Sequence, residues 1–318
     1  MKISFLLYPT HNVQVNEDTS FWLMRALRLR GHDVSHFESR HLHCENGRVY
    51  VRLTRSVLDP LRGFRSNRTG PTVPLTSIDA VIVRKEPPFD ADYLHTLQML
   101  SLASEQGLRV VNDAGALLRH NEKTLLDLFP EHSPRMCWAR EVSTALGWIR
   151  RRPSGSVVLK PLDNRSGSGV LRVSRSDKTL PSLLQTVTEQ GKRWVVLQEH
   201  LQEAAKGDKR ILLCGDRIAG VFRRTPPRGD FRSNLSVGGR MSRCSLTSTE
   251  KRLVDRVAPE LVRRGLWLSG LDVIDGKLVE INITSPSGLP EIAQLYGKDR
   301  SMWMAAELEA YLGDRRRR

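Results

Sequence analysis

The chain has 318 residues, enough for two or three domains with separate cores, and its 39% hydrophobic and 27% charged content is ordinary for a soluble protein. No run approaches the ~20 apolar residues that span a bilayer, and nothing targets the chain out of the cytosol, so a cytoplasmic protein without a membrane partner is expected. Lys plus Arg outnumber Asp plus Glu by 50 to 35, a net +15 that favours anionic partners, and Cys44, Cys137, Cys214 and Cys244 form no CxxC pair, which argues against a disulfide framework or a zinc site.

Lys2 to Leu7 predicts a short apolar strand. Ser20 or Thr19 then caps a helix carrying Phe21, Leu23, Met24, Ala26, Leu27 and Leu29, which stops at Gly31, and Asp33 to Phe37 follows as a second strand. This β-α-β start marks a sheet flanked by helices. The arginine-rich segment from His43 to Arg68, with a turn at Asn46-Gly47, reads as irregular or hairpin structure. Ile78 to Arg84 is a buried-type strand that runs into Lys85-Glu86-Pro87-Pro88-Phe89-Asp90. Charge at the carboxyl end of such a strand sits where open α/β sheets bind ligands, so Arg84 is a candidate for holding a carboxylate. The other reading is a surface loop that starts the helix Asp92 to Gln106. After the strand Leu108 to Val111, Asn121 reads as a helix N-cap with Lys123 in the first turn, a cation placed against the helix dipole unless it faces an anion.

From Pro134 the texture becomes that of a smaller α+β unit. A helix near Thr144 to Arg151 precedes the strand Val157 to Lys160, the small-residue loop Asp163 to Gly169, and a returning strand Val170 to Val173. A loop with Ser166, Gly167, Ser168 and Gly169 lets backbone N–H groups approach phosphate while Lys160 supplies charge, although it is neither a Walker nor a GxGxxG pattern. Trp194 to Leu197 is a strand ending in Gln198-Glu199-His200-Leu201, whose backbone could meet a purine edge. Ile211 to Cys214 then pairs with Arg217 to Phe222; beside them Asp208 is placed to take ribose hydroxyls and Arg210 phosphate. Arg223, Arg224, Arg228 and Arg232 crowd a Pro- and Gly-rich loop, which suits bidentate recognition of an anionic substrate. Nucleic acid is not the expected partner, because only Phe222 and Phe231 are there to stack bases.

The helix Ser248 to Arg264 delivers the chain to Gly270 to Gly288, and Met302 to Leu312 is a closing amphipathic helix before the solvated Arg315 to Arg318 tail. Within the Gly270 segment two β-rich runs flank Asp275-Gly276, so a hairpin is expected. A two-residue loop would put Glu280 and Asn282 into the apolar layer. A three-residue loop, Ile274, Asp275 and Gly276, with Gly276 left-handed, sends Leu271, Val273, Val279, Ile281 and Ile283 one way. Asp272, Glu280 and Asn282 then share the other face. Three oxygen donors without His or Cys suit a hard cation such as magnesium, or manganese in its place, with the remaining positions left to phosphates. Beyond it, Ser285, Ser287 and Gly288 open a loop of hydroxyls and amides.

In order along the chain, these pieces resemble the prokaryotic-type glutathione synthetases of the ATP-grasp superfamily. The resemblance rests on Val83 to Asp90, Asn121-Glu122-Lys123, Leu159 to Asp163, Gly207 to Arg210, Asn234-Leu235 with Gly238-Gly239-Arg240, and Gly270-Leu271-Asp272 through Glu280 to Pro286. It implies an α/β and α+β architecture, an N-terminal α/β domain (1–122), a central lid (123–200) and a C-terminal domain (201–318), with ATP between the last two. It implies that Lys123 and Lys160 bind phosphates, the Gln198 to Leu201 strand adenine, Asp208 ribose, and Asp272, Glu280 and Asn282 magnesium. Arg84, Arg224 and Arg232, with the Ser285, Ser287 and Gly288 loop, are expected near an acidic dipeptide. Lys160 and Arg210 are the expected catalytic cations of an ATP-dependent carboxylate-amine ligase acting on γ-glutamylcysteine and glycine through an acyl phosphate. That reaction asks for charge neutralisation and alignment rather than a nucleophilic side chain, in keeping with the lack of any Ser-His-Asp or Cys-His pattern.

The sequence departs from the family in two places. Asn164 to Gly169 holds fewer glycines and an added Arg165. Ser287-Gly288-Leu289-Pro290 stands where the family carries a small residue, Cys, an aliphatic residue and Arg. The second departure raises the alternative of a sister ligase with a different acyl or amine substrate; a non-catalytic nucleic-acid binder has no reason to keep the magnesium face. A homo-oligomer is compatible with either enzyme.

Overall fold

The computed structural model describes residues 1–318 apart from 11, 12, 14, 154, 164–167 and 315–318, and apart from the side chains of 66 and 67. The expected β-α-β start is there: β1 (Lys2–Leu7), α1 (Thr19–Leu29) and β2 (Asp33–Phe37), with β1 parallel to β2. The cap is Asp18 rather than Ser20 or Thr19, its carboxylate accepting from the Phe21 N–H at 2.7 Å. In the arginine-rich stretch the hairpin reading holds, with the expected turn at Asn46-Gly47, both at positive φ (49° and 77°). β3 (Leu42–Glu45), β4 (Arg48–Asp59) and β5 (Gly63–Pro74) are antiparallel and extend the sheet past β2. β6 (Ala80–Arg84), α2 (Ala91–Glu105), β7 (Arg109–Val111) and α3 (Ala114–Arg119) complete a sheet of order β3-β4-β2-β1-β6-β7, with β5 on β4.

The middle unit is a four-stranded antiparallel sheet, order β10-β9-β11-β8, built from β8 (Met136–Ala139), α4 (Val142–Arg150), β9 (Ser156–Pro161), β10 (Leu171–Ser174), α5 (Leu180–Val187) and β11 (Val195–Glu199). Strand alternation decides its two faces. Val157, Leu159, Val195 and Leu197 pack with Ala145, Ile149, Leu180 and Leu184 from the helices, while Val158, Lys160 and Gln198 face a cleft.

The last unit has the sheet order β14-β13-β12-β15-β16: β12 (Asp208–Cys214), β13 (Arg217–Thr225), β14 (Arg240–Arg243), β15 (Leu268–Ile274) and β16 (Lys277–Asn282), with α6 (Ser248–Arg263), α7 (Leu289–Tyr296) and α8 (Ser301–Gly313). This sheet has no core of its own. Ile211, Leu213, Leu271 and Val273 join α6 and residues of α2 in one cluster, and Leu212, Cys214 and Leu268 join α1, α7 and α8 in another. Asn112 fastens the junction, donating to the Leu268 and Ile283 carbonyls at 2.7 Å each and accepting from the Leu268 N–H.

The hairpin loop differs from expectation. Ile274 pairs with Lys277, so the loop is the two residues Asp275 and Gly276, both with positive φ (48° and 73°) as a mirror-image turn requires. The phase is restored lower down: Val273 faces Leu278 but Asp272 faces Glu280, so Val279 is an extra, bulged residue. Val279 therefore lines the cleft instead of joining Leu271, Val273, Ile281 and Ile283, while Leu278 takes the core place. Asp272, Glu280 and Asn282 share a face as expected, by a different device.

Candidate active site

Two clefts meet on that face. The narrower lies between the middle sheet and the last one, lined by Lys123, Lys160, Ser168, the Gln198–Leu201 segment, Asp208, Phe231 and Asp272, among others. The wider lies between the N-terminal unit and the last sheet, where Arg84, Arg210, Ser285, Ser287 and Glu291 contribute. Arg224, Asn234 and Glu280 line both, and mark where two bound molecules would touch.

The charges at this junction are paired by strand register. Arg210 lies opposite Asp272 and forks onto it, Nε to Oδ1 at 2.6 Å and Nη2 to Oδ2 at 3.1 Å. Arg224 lies opposite Asp208, forks onto it at 2.8 Å twice, and also reaches Asp272 Oδ2 at 2.9 Å. Burial works against the Asp272 carboxylate, but Arg210 and Arg224 outweigh it and hold its pKa well below the usual range. Asp208 has the same Arg224 partner, yet burial and the neighbouring Asp272 push its pKa up. Lys160 Nζ donates to the bulged Val279 carbonyl at 3.1 Å and lies 3.9 Å from Glu280. Burial lowers its pKa, Glu280 opposes that, and Lys123 adds to it, which places the two lysines close together.

A divalent cation fits part of this geometry. Among the described residues no three His, Cys, Asp or Glu side chains gather into a complete cage. Asp272, Glu280 and Asn282 supply oxygen alone, the set of a hard ion that takes its other ligands from phosphate and water. Asn282 spends its amide nitrogen on Gly270 O and Asp272 Oδ2, both at 3.3 Å, so its carbonyl oxygen is the atom that could meet a cation. Because Asp272 is already shared by two guanidiniums, Glu280 is the more available carboxylate.

Residues 1–118 match the prokaryotic glutathione synthetase N-terminal domain, and residues 122–297 its ATP-grasp domain. The chain belongs to the prokaryotic glutathione synthetase family. It is an ATP-dependent C–N ligase of that family, with small-molecule substrates. The glutathione synthetase of Bordetella bronchiseptica is 35% identical over 322 residues, spanning 98% of this chain and 100% of the relative. That of Vibrio cholerae is 34% identical over 93% of both chains. Among solved structures, the D-cycloserine synthetase DcsG superposes with a TM-score of 0.70 at 15% identity, covering 98% of this chain and 99% of that one, which speaks for the fold alone. No helix among the described residues is long and apolar enough to cross a membrane.

Most residues singled out in the sequence converge on the two clefts. Lys123, Lys160, Ser168, Gln198, Glu199, His200, Leu201 and Asp208 line the narrow one, and Arg84, Arg210, Ser285 and Ser287 the wide one. Lys123 sits in a turn rather than in the first turn of an α-helix: its N–H donates to Asn121 Oδ1 at 3.0 Å and a short 3₁₀ segment follows. Arg232, expected beside the dipeptide, lies instead on the narrow cleft, forked onto Asp230. Gly288 lies behind the lining, its N–H donating to Thr19 Oγ1 at 3.2 Å; Gly169 follows Ser168 in a turn. Ser166 and Gly167, like the Arg315 to Arg318 tail, lie outside the described residues.

Sequence reasoning gave no role to two buried carboxylates. Glu122 accepts from the Ile283 N–H (2.9 Å), the Thr284 N–H (3.0 Å) and the Thr284 hydroxyl (2.8 Å), tying the end of β16 to the Lys123 turn. Glu291 stands in the first turn of α7, a helix not expected from the sequence. The usable signal was Pro290 in the first turn of that helix, where the missing N–H breaks no intrahelical hydrogen bond.

Proposed function

We propose that the chain makes glutathione by joining γ-glutamylcysteine to glycine, with ATP in the narrow cleft and the dipeptide in the wide one. The observation that carries this reading is the shared rim: Glu280, Arg224 and Asn234 belong to both clefts, so a terminal phosphate and a substrate carboxylate would meet there. Lys123 and Lys160 neutralise the phosphates. Gln198 to Leu201 hold the adenine; the Glu199 and His200 N–H groups already donate to Arg135 O and Ser156 O, so Leu201 is the residue left to offer an amide. Asp208 serves the ribose side, with Arg224 fixing its orientation.

Magnesium, held by Glu280 and Asn282 with Asp272, would supply charge neutralisation between the phosphates. The substrate carboxylate oxygen bonds to the γ-phosphorus and the bond to ADP breaks, giving an acyl phosphate. The neutral amine of glycine then bonds to the acyl carbon, phosphate leaves, and the amine loses its proton. Arg210, pinned by Asp272 and by its contact with Ser287 O, presents a fixed cation beside the reacting carboxylate. Of residues 123–200, the middle sheet and its helices (136–199) act as the lid that keeps water from the acyl phosphate, because Leu125, Leu126 and Phe129 are buried in the core shared with the last sheet.

The test is ADP release across a panel of dipeptides and amino acids. γ-Glutamylcysteine with glycine should give the highest kcat/KM. A different pair in first place would favour the sister-ligase reading suggested by Ser287 to Pro290.

A further inference from the structure

We propose that Arg84 and Glu291 together grip the γ-glutamyl end of the acyl substrate, Arg84 its α-carboxylate and Glu291 its α-ammonium. The proposal rests on the function proposed above. It starts from the charges lining the wide cleft, most of which are already spoken for. Asp18 caps α1 and accepts from the Tyr8 hydroxyl, Glu122 holds the Thr284 loop, and Arg210 and Arg224 are forked onto Asp272 and Asp208. Among the described residues, two buried side-chain atoms on this cleft have no partner: Arg84 Nη1 and Glu291 Oε2. Arg84 is 2% exposed and Glu291 8%. Leaving buried charged groups short of partners is costly, and a bound ligand is the ordinary reason to keep them so.

The two groups are held in one frame by the start of α1. Arg84 Nε donates to Ser20 Oγ at 2.9 Å. The neighbouring Thr19 Oγ1 accepts from the N–H groups of Gly288 and Leu289 at 3.2 Å each, where α7 begins and carries Glu291. Glu17 lies close enough to Glu291, and Asp18 to Arg84, for each to act on the other's charge. Thus four consecutive residues, Glu17 to Ser20, bridge the pair.

One guanidinium and one carboxylate opening on a common cavity match the zwitterion of an α-amino acid. Two such ends enter the reaction, and chemistry separates them. Glycine must bring a neutral amine to the acyl carbon, so a carboxylate that held it as an ammonium would oppose the step. The γ-glutamyl end keeps both charges throughout and takes no part in bond making. Neither Arg84 nor Glu291 lines the narrow cleft, which sets them away from the nucleotide.

Two analogues isolate the charges: N-glutarylcysteine, which lacks the α-ammonium, and 4-aminobutanoylcysteine, which lacks the α-carboxylate. Wild-type enzyme should show a KM for each about tenfold to hundredfold above that for γ-glutamylcysteine. Glu291→Gln should raise the KM for γ-glutamylcysteine to that of N-glutarylcysteine while leaving the analogue within twofold, and Arg84→Lys should weaken discrimination against 4-aminobutanoylcysteine alone. KM values for ATP and glycine should stay unchanged. Equal losses on dipeptide and analogue, a raised glycine KM, or a wild type indifferent to both analogues would overturn the pair, the last without any variant having to fold. Turnover of γ-glutamylcysteine without these differences removes the anchors and leaves the proposed function standing; no turnover removes both.

Discussion

The middle sheet and the last sheet are both antiparallel and both carry helices, but they are anchored in opposite ways. The core under the middle sheet draws its buried members from residues 139–197 alone. The last sheet shares both of its cores with the N-terminal unit, through α2 on one side and α1 on the other. Where the two sheets face each other polar and aromatic contacts lead, with Lys160 Nζ and Gln198 Nε2 to Val279 O, Lys160 to Glu280, and Arg172 and His200 against the Phe231 ring, while Met136 of β8 adds an apolar contact to the shared core. Apolar burial, at about 25 cal/mol per Å², fixes two bodies to each other, whereas polar contacts exchange with a ligand or water at little net cost. A body with its own core and a mainly polar seam is expected to hinge more readily than a sheet with borrowed cores, which serves as the platform.

The largest effect should come from the platform side of the seam. Glu280→Ala should lower turnover by about 10²–10³ with little change in Tm; near-normal ADP release would remove Glu280 from the reaction. Asp272→Ala should cost activity and also about 3–5 kcal/mol of stability, because Arg210 would be left buried without its carboxylate and Arg224 would keep Asp208 alone, and a thermal melt separates the two variants. Next come the cores. Leu184→Ala and Leu271→Ala should each cost about 2–5 kcal/mol, but amide exchange should rise in the middle unit alone for the first and in both other units for the second. Equal exchange everywhere in both variants would erase the contrast.

Gly207→Ala probes the entry to the platform. Gly207 has φ +90°, and an added Cβ would come within 2.0 Å of the Arg224 carbonyl oxygen, so Asp208 and Arg224 must shift. A loss of about 1–3 kcal/mol is expected, with a raised KM for ATP. The smallest effect concerns the clasp between α8 and the end of α1. Hydrogen bonding from Arg30, reinforced by His32, lowers the pKa of Glu309 from 4.5 to about 2. A depressed carboxylate stabilises fully above its unfolded value and loses that contribution as pH falls through its folded one. The Tm gap between wild type and Glu309→Gln should therefore be complete at pH 6 and close between about pH 4.5 and 2.

The platform was the more readable region. Its strands alternate strictly, and Leu271, Ile281 and Ile283 against Asp272, Glu280 and Asn282 announce two faces whatever the turn. The turn itself was misread because an Asp-Gly loop and a bulge four residues away can trade places without changing which faces result. The arginine-rich segment could be read only as irregular or hairpin structure, because two register shifts, at Arg52 to Thr54 and at Arg55 to Val57, interrupt the alternation of β4 against β5. Arg232 was misplaced because composition groups the arginines of its loop, while geometry sorts them: Arg224 turns to the platform and Arg232 to Asp230. Glu291 was unreadable for a deeper reason, since an acid in the first turn of a helix is usually explained by the helix itself.

The bulge at Val279 absorbs the one residue by which a two-residue turn and the strand pattern would otherwise disagree, and it offers the seam a backbone carbonyl. Deleting that valine would leave Glu280 opposite Asp272 and Asn282 opposite Gly270 in an unbroken ladder, but would remove the acceptor on which Lys160 and Gln198 rest. Replacing it with another apolar residue keeps that carbonyl, so this position tolerates exchange but not omission.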